Sequence, residues 1–257
     1  MTEELLYDKR GDVAWVTFNR PQARNALTFA MYERLARICD EAHGKVRALL
    51  MTGAGDKAFA AGTDIAQFQE FKGGEDGIAY ERKIDRILDT IERCAVPTIA
   101  AIAGFCTGGG AAIASVCDLR LATTNAQFGF PIARTLGNCL SMANYARLAA
   151  LIGPQRTKEV IFLAKLIDGP TALGIGLVSE LLPDAASLHA RAEEVARTVA
   201  NHAPITLQVT KEALRRLQAR LGDDDIDDLI RLAYGSQDFR EGMAAFLAKR
   251  APKWSGT

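Results

Sequence analysis

Apolar and polar positions change rhythm along the chain, and the changes mark out its elements. Val13 to Phe18 reads as a strand, with Leu5 to Asp8 before it across a turn at Gly11, so the chain opens with a hairpin. Asn19-Arg20-Pro21 ends that strand, because a proline ring disfavours helix at the residue before it. Thr28 is placed to cap a helix running from Phe29 towards Ala42, with Met31, Leu35 and Ile38 along one face. Val46 to Thr52 is a second apolar strand, and a Gly/Ala-rich loop from Gly53 to Thr63 follows it. Helical patterns cover Asp64 to Phe71 and Ile78 to Cys94; Thr98 to Ala103 and Leu119 to Ala122 return to strand, and Phe128 to Pro131 is extended. Beyond Leu140 helical periodicity dominates to Lys249, interrupted at Gly153-Pro154, at Gly169-Pro170 and by a short strand from Leu177 to Leu182. Alternating strands and helices followed by a helical run predict an α/β core with a helical C-terminal part.

Composition narrows the class. With 257 residues, 49% of them hydrophobic, the chain can bury a large core without a metal or disulfide staple. Its 31 basic and 31 acidic residues leave no net field to recruit nucleic acid or an anionic membrane. The five cysteines, Cys39, Cys94, Cys106, Cys117 and Cys139, are odd in number and form no Cys-x-x-Cys pair. They read as small buried hydrophobes in a reducing compartment, not as a disulfide framework or zinc site. Acidic residues at Glu3 and Glu4 stand where a signal peptide carries bases, so the expected location is cytoplasmic. The uncharged stretch between Arg93 and Asp118 is long enough to cross a bilayer, but Pro97, Gly104 and Gly108 to Gly110 divide it. A β-like run, Val96 to Ala103, and a helix-like run, Gly109 to Val116, predict a buried strand, turn and helix instead. The acidic cluster Asp223, Asp224, Asp225, Asp227 and Asp228 reads as a helix opening, where carboxylates suit the dipole.

Several familiar chemistries fail on inspection. Gly53 to Ala58 imitates a dinucleotide fingerprint, but no helix begins within its glycines. Gly104 to Gly110 lacks the lysine of a phosphate-binding loop. His43, His189 and His202 lie in or beside helices away from the glycine-rich loops and read as surface or helix-end residues, with no Gly-x-Ser-x-Gly elbow to serve. Two loops remain. Phe59-Ala-Ala-Gly-Thr63-Asp64 leads from the glycine loop into a helix, and Gly104-Phe-Cys-Thr-Gly-Gly-Gly-Ala111 leads from a strand directly into another. Small residues there allow close approach to the backbone, and two N–H groups converging on one point would stabilise negative charge on a carbonyl oxygen. On the glycines alone, the alternative of two tight strand-to-helix turns stays open.

These same residues carry a resemblance. Asn19-Arg-Pro-Gln-Ala-Arg-Asn-Ala-Leu27, Lys57-Ala-Phe-Ala-Ala-Gly-Thr-Asp-Ile65, Pro97 to Gly104, Gly108-Gly-Gly110, Cys117-Asp118 and Ala126-Gln-Phe-Gly129 resemble the crotonase superfamily of enoyl-CoA hydratases and isomerases. Gly174 to Val178 and Arg240 to Phe246 extend the likeness over nearly the whole chain. The resemblance implies a spiral of ββα units over residues 1–195, with a helical region at 196–257 that builds a homotrimer or a dimer of trimers. It implies an acyl-CoA substrate, CoA entering as part of that substrate with no permanently bound cofactor, and no nucleic-acid or membrane partner. It places the thioester oxygen between the backbone N–H groups of Thr63 and Gly109. Adenine would rest near Lys57 and Ala61, and Arg24, with Lys249 of a neighbouring subunit, would meet the CoA phosphates.

One departure matters for the chemistry. Hydratases of the family carry a glutamate two residues beyond the glycine triplet and another after the proline following Gln-Phe-Gly. Those positions hold Ala112 and Ile132 here, or Ala133 if the loop carries an inserted residue. Syn hydration needs one carboxylate to activate water and another to deliver the α-proton, and neither alanine nor isoleucine does so. Asn138 and Ser141 are candidates to position water and Arg134 to orient a substrate carboxylate, unless this loop only caps the helix beginning near Leu140. The segment Glu70 to Asp85, with Gln67, is a further candidate to face the pocket; Asp64 reads as a helix cap and Tyr234 as an interface aromatic. Two functions therefore remain: an enzyme working through an enolate, and a non-catalytic acyl-CoA-binding subunit on the same scaffold.

Overall fold

The computed structural model describes residues 3–220 and 225–257. β1 (Leu5–Arg10) and β2 (Val13–Phe18) form the expected antiparallel hairpin. Helix α1 (Phe29–Asp40) follows, capped by Thr28, whose hydroxyl accepts from the Met31 amide at 3.3 Å. A strand–strand–helix unit then repeats. The first is β3 (Ala48–Gly53), β4 (Ala58–Ala60) and α2 (Gly74–Glu92). The second is β5 (Thr98–Ile102), β6 (Phe105–Thr107) and α3 (Gly109–Val116). The third is β7 (Leu119–Thr123) and β8 (Gln127–Gly129), followed by α4 (Ile132–Thr135) and α5 (Met142–Phe162). After β9 (Ile167–Asp168), α6 (Gly169–Gly174) and β10 (Glu180–Leu182), the chain is helical: α7 (Ala185–Ala200), α8 (Pro204–Ala219), α9 (Asp227–Gly235) and α10 (Gln237–Leu247).

The leading strand of each unit joins a six-stranded sheet of order β1-β2-β3-β5-β7-β10, parallel from β2 onward. The second strand of each joins a four-stranded sheet, β4-β6-β8-β9. This is the ββα spiral expected from the resemblance. One face of the larger sheet packs on α1, α2 and α3 through Met31, Leu35, Leu88, Ile91 and Ile113. The other face is covered by Leu188, Ala192, Ala196 and Ala200 of α7, so the division expected at residue 195 falls inside that helix.

Several local expectations change. Asp64 to Phe71 is not a helix; a single 3₁₀ turn, Ile65–Phe68, is capped by Asp64, which also pairs with Arg20 at 2.8 Å. α2 starts earlier than its apolar pattern indicates, because Gly74 and Gly77 occupy its packed face. The Gly153-Pro154 break is a kink within α5, with Gly153 at φ 80° and ψ 154°. His189 is no surface residue: it is half-buried in the middle of α7, its Nε2 3.0 Å from Thr52 Oγ1 and its ring edge-on to Trp15. Asp227 and Asp228 do open a helix, while Asp223 and Asp224 lie outside the described residues. Four of the five cysteines are buried thiols. No helix of the described residues is long and apolar enough to cross a membrane.

Candidate active site

The site grows from two turns that the second sheet holds side by side. After β4, Ala61 donates to the Arg24 carbonyl at 3.0 Å, and the Gly62 carbonyl and Asp64 amide both bond to Leu27. Between them, the Thr63 amide donates to no acceptor among the described residues. After β6, Gly108 takes φ 52°, a left-handed backbone suited to glycine, and its amide is tied to the Gly129 carbonyl. Gly109 is then the first residue of α3, where an amide has no partner within the helix, and it finds none elsewhere among the described residues. A Cβ built on Gly62 would lie 3.9 Å from the Gly109 nitrogen, and one on Gly109 only 3.1 Å from Thr63 Oγ1. Two unbonded amides thus stand on adjoining turns.

The Thr63 side chain is held by two phenols, neither named individually by the sequence, though Tyr80 lies in the candidate segment Glu70 to Asp85. Its Oγ1 lies 2.9 Å from Tyr32 Oη, on α1, and 2.8 Å from Tyr80 Oη, on α2. Burial pushes both phenols above their ordinary range, so they stay protonated. Tyr32 also presses on Gly109: a Cβ there would meet its Oη at 1.8 Å. The hydroxyls therefore adjoin both turns.

Ala112, one turn into α3, and Ile132, at the start of α4, are buried apolar members of the main core. Neither brings a carboxylate to the site. Glu81 on α2 lies deeper in this region. Its oxygens take hydrogen bonds from Tyr234 Oη at 2.5 Å and the Ser141 amide at 3.2 Å. Burial is the main reason its pKa rises to about 8; the two hydrogen bonds oppose that rise and Asp85 adds to it.

The tentative loop residues divide. Asn138 donates to Tyr234 Oη at 3.1 Å, while its Oδ1 is buried without a partner. Ser141 caps α5 by accepting from Asn144 N and donates to Asp85 at 2.7 Å. Both belong to a network that fastens the loop to α2. Arg134 is exposed and forms no ion pair among the described residues. Tyr234 is 1% exposed, bonded to Glu81 and packed on Tyr80 and Phe239, so it is a core residue of this chain and not an interface aromatic.

The expected CoA residues partly converge. Phe105 is their common neighbour: its amide donates to the Lys57 carbonyl at 3.0 Å, and the Arg24 guanidinium lies 5.1 Å over its ring. Ala61 is joined to Arg24 through the backbone. Arg24 and Lys57 are exposed, with no carboxylate paired to them among the described residues. Lys249 follows α10 with φ 52°, and no hydrogen bond links it to this group in the same chain.

A sequence model of the Enoyl-CoA hydratase/isomerase family matches residues 8–257. The short-chain-enoyl-CoA hydratase of Clostridium acetobutylicum is 35% identical over 96% of this chain and 95% of its own. The chain belongs to the enoyl-CoA hydratase/isomerase family. The crotonyl-CoA hydratase of Syntrophomonas wolfei is another relative, 32% identical with 96% of each chain covered. Among solved structures, this family member superposes on a methylmalonyl-CoA decarboxylase in complex with 2-nitronate-propionyl-CoA. The TM-score is 0.89 at 26% identity, covering 100% of both chains. An enoyl-CoA hydratase/carnithine racemase from Magnetospirillum magneticum gives a TM-score of 0.79 at 31% identity, over 100% of this chain and 97% of that one. The fold and the family agree.

Proposed function

We propose that this family member seats an acyl-CoA thioester with its carbonyl oxygen between the Thr63 and Gly109 amides and acts through the enolate they stabilise. The observation that carries this reading is the pair of unbonded amides on adjoining small-residue turns. Arg24 and Lys57, cations without a carboxylate partner among the described residues and grouped around Ala61 and Phe105, suit the phosphates and adenine of CoA, which arrives as part of the substrate. Lys249 fits the same role from a neighbouring subunit, and the C-terminal helices would build the trimer or dimer of trimers that supplies it.

Ordinary hydration does not suit this site, because Ala112 and Ile132 provide neither the base for water nor the acid for the α-carbon. The reaction that suits it generates the enolate without a base. A malonyl-type thioester does so by losing carbon dioxide: the Cα–carboxylate bond breaks and its electron pair enters the enolate. Ala112, Ile132 and Leu140 are buried apolar core residues, so they offer no cation to hold a carboxylate against loss as neutral carbon dioxide. The likeness to a methylmalonyl-CoA decarboxylase supports the same choice.

Mass analysis of products from crotonyl-, malonyl-, methylmalonyl- and aryl-CoA thioesters tests the reading. Loss of carbon dioxide from the malonyl-type thioesters is expected, with crotonyl-CoA left unhydrated. Rapid hydration that persists through repurification would overturn the account of Ala112 and Ile132. Binding of every thioester with turnover of none would establish the second reading, a non-catalytic acyl-CoA-binding subunit, which the absent glutamates favour. Gly109→Pro removes one donor amide and should lower kcat ~10²-fold beyond Gly109→Ala. The alanine variant is the control, since both place a Cβ against Tyr32 Oη.

A further inference from the structure

Thr63 Oγ1 joins Tyr32 and Tyr80 by two hydrogen bonds, and the three hydroxyls bring three protons to those two links. One O–H is therefore left over. Burial decides which. Tyr32 is 1% exposed, and Thr63 Oγ1 is the one acceptor its phenol reaches among the described residues, so Tyr32 donates to Thr63. Thr63 has one proton of its own and passes it to Tyr80 Oη. Tyr80 is only partly buried and its Oη has no other hydrogen-bond partner among the described residues, so its own proton points out of the relay. Its ring is fixed edge-on to Phe68 at 4.9 Å and beside Phe29 at 6.0 Å, which limits where that proton can go.

We infer that Tyr80 is the catalytic residue that protonates the enolate, taking the place of the absent carboxylates, with Thr63 and Tyr32 as positioning residues behind it. The inference rests on the enolate reading of the site. Its oxygen is one hydrogen bond from the side chain of Thr63, whose amide is one of the two proposed oxyanion donors. After carbon dioxide leaves, the O–H bond of Tyr80 breaks and its electron pair stays on the phenolate oxygen. The proton joins Cα through the enolate double-bond pair, and the thioester carbonyl re-forms. Donation from Thr63, itself held by Tyr32, stabilises the phenolate until water returns a proton. Both phenols stay protonated at neutral pH because burial raises them, so the donor is loaded at rest. An enolate is basic enough to accept a proton from an unactivated phenol.

The test is turnover of methylmalonyl-CoA in D₂O by the full-length protein, following kcat, KM and the face of Cα that receives deuterium. The wild type should deliver deuterium to one face of propionyl-CoA. Tyr80→Phe should lower kcat ~10²-fold with KM unchanged, and should deuterate both faces as solvent replaces the phenol. Thr63→Val keeps the backbone donor and severs the relay, so it should lower kcat by a smaller factor while keeping one-face delivery. Wild-type kcat and one-face deuteration in Tyr80→Phe overturn the inference while leaving the enolate reading in place. If circular dichroism shows Tyr80→Phe unfolded, Thr63→Val decides: an unchanged kcat overturns the relay. A wild type that decarboxylates no malonyl-type thioester removes the parent reading, and this inference with it.

Discussion

Glu81 is 4% exposed and accepts hydrogen bonds from both Tyr234 and the Ser141 amide. Its folded-state pKa is raised to about 8, above its ordinary value of 4.5, with burial the largest cause. A raised carboxyl holds its proton in the folded chain after the unfolded chain has lost it. Stability from this group is thus complete below the unfolded pKa and drains away as pH rises through the folded one. The unfolding free energy from denaturant titration should fall between about pH 5 and pH 8, by an amount on the order of a few kcal/mol. Glu81→Gln removes the ionisable group at nearly the same size and keeps a carbonyl oxygen to accept a hydrogen bond, and should flatten that slope. A slope unchanged by the substitution would assign the pH dependence to another group. At this scale the sequence showed some residues and hid others. The two turns that hold Thr63 and Gly109 were legible because runs of small residues between a strand and the next element leave a signature. Tyr32 was not, and Tyr80 was covered only by the broad Glu70 to Asp85 segment, because their separations from Thr63 of 31 and 17 positions follow no period. Glu81 fell within that same candidate segment, but nothing in the sequence set it apart from the other polar residues of a long amphipathic helix.

At the scale of elements, α9 approaches α2 closely enough for glycine to be required at the contact. A Cβ on Gly77 would meet the Tyr234 ring at 2.3 Å, and one on Gly74 the Arg231 side chain at 2.5 Å. Gly77→Ala should push α9 away and cost about 1–3 kcal/mol, read as a lower thermal midpoint. It should also strain the Tyr234–Glu81 bond, so the pH slope described above should change in the same variant. Gly73→Ala is the control: it has open space around its Cβ and, outside the helix, should shift the midpoint far less. The same glycines explain why α2 was read as beginning at Ile78. Apolar periodicity marks a face that buries side chains, whereas Gly74 to Gly77 bury backbone, which leaves no periodic signal. Strands β3 and β5 were legible as largely apolar runs, as strands buried on both faces are. β6 and β9, with three and two residues, were too short to show an alternation.

At the scale of the molecule, the C-terminal helices leave apolar surface that one chain does not cover. Ile205, Val209, Leu214 and Leu217 of α8 are all at least 60% exposed, and Leu232 of α9 reaches 73%. An aqueous surface of this kind favours association. Ile205 and Val209 are one turn apart and share a stripe, while Lys211 turns the other way to bond Asp118 at 2.6 Å and fix α8 to the sheet. The wild type should therefore sediment above the 27.7 kDa of one chain, and at a multiple of three chains if the proposed trimer forms. The double substitution Ile205→Asp and Val209→Asp should release monomer without unfolding the spiral, because neither side chain belongs to its core. If Lys249 reaches the CoA bound to a neighbour, the dissociated variant should show a higher KM for its thioester, with kcat closer to wild type, since Thr63, Gly109 and Tyr80 all come from one chain. Lys249→Ala in the intact assembly should reproduce that rise in KM alone. A monomeric wild type at micromolar concentration would remove the trimer and return the CoA phosphates to Arg24 and Lys57.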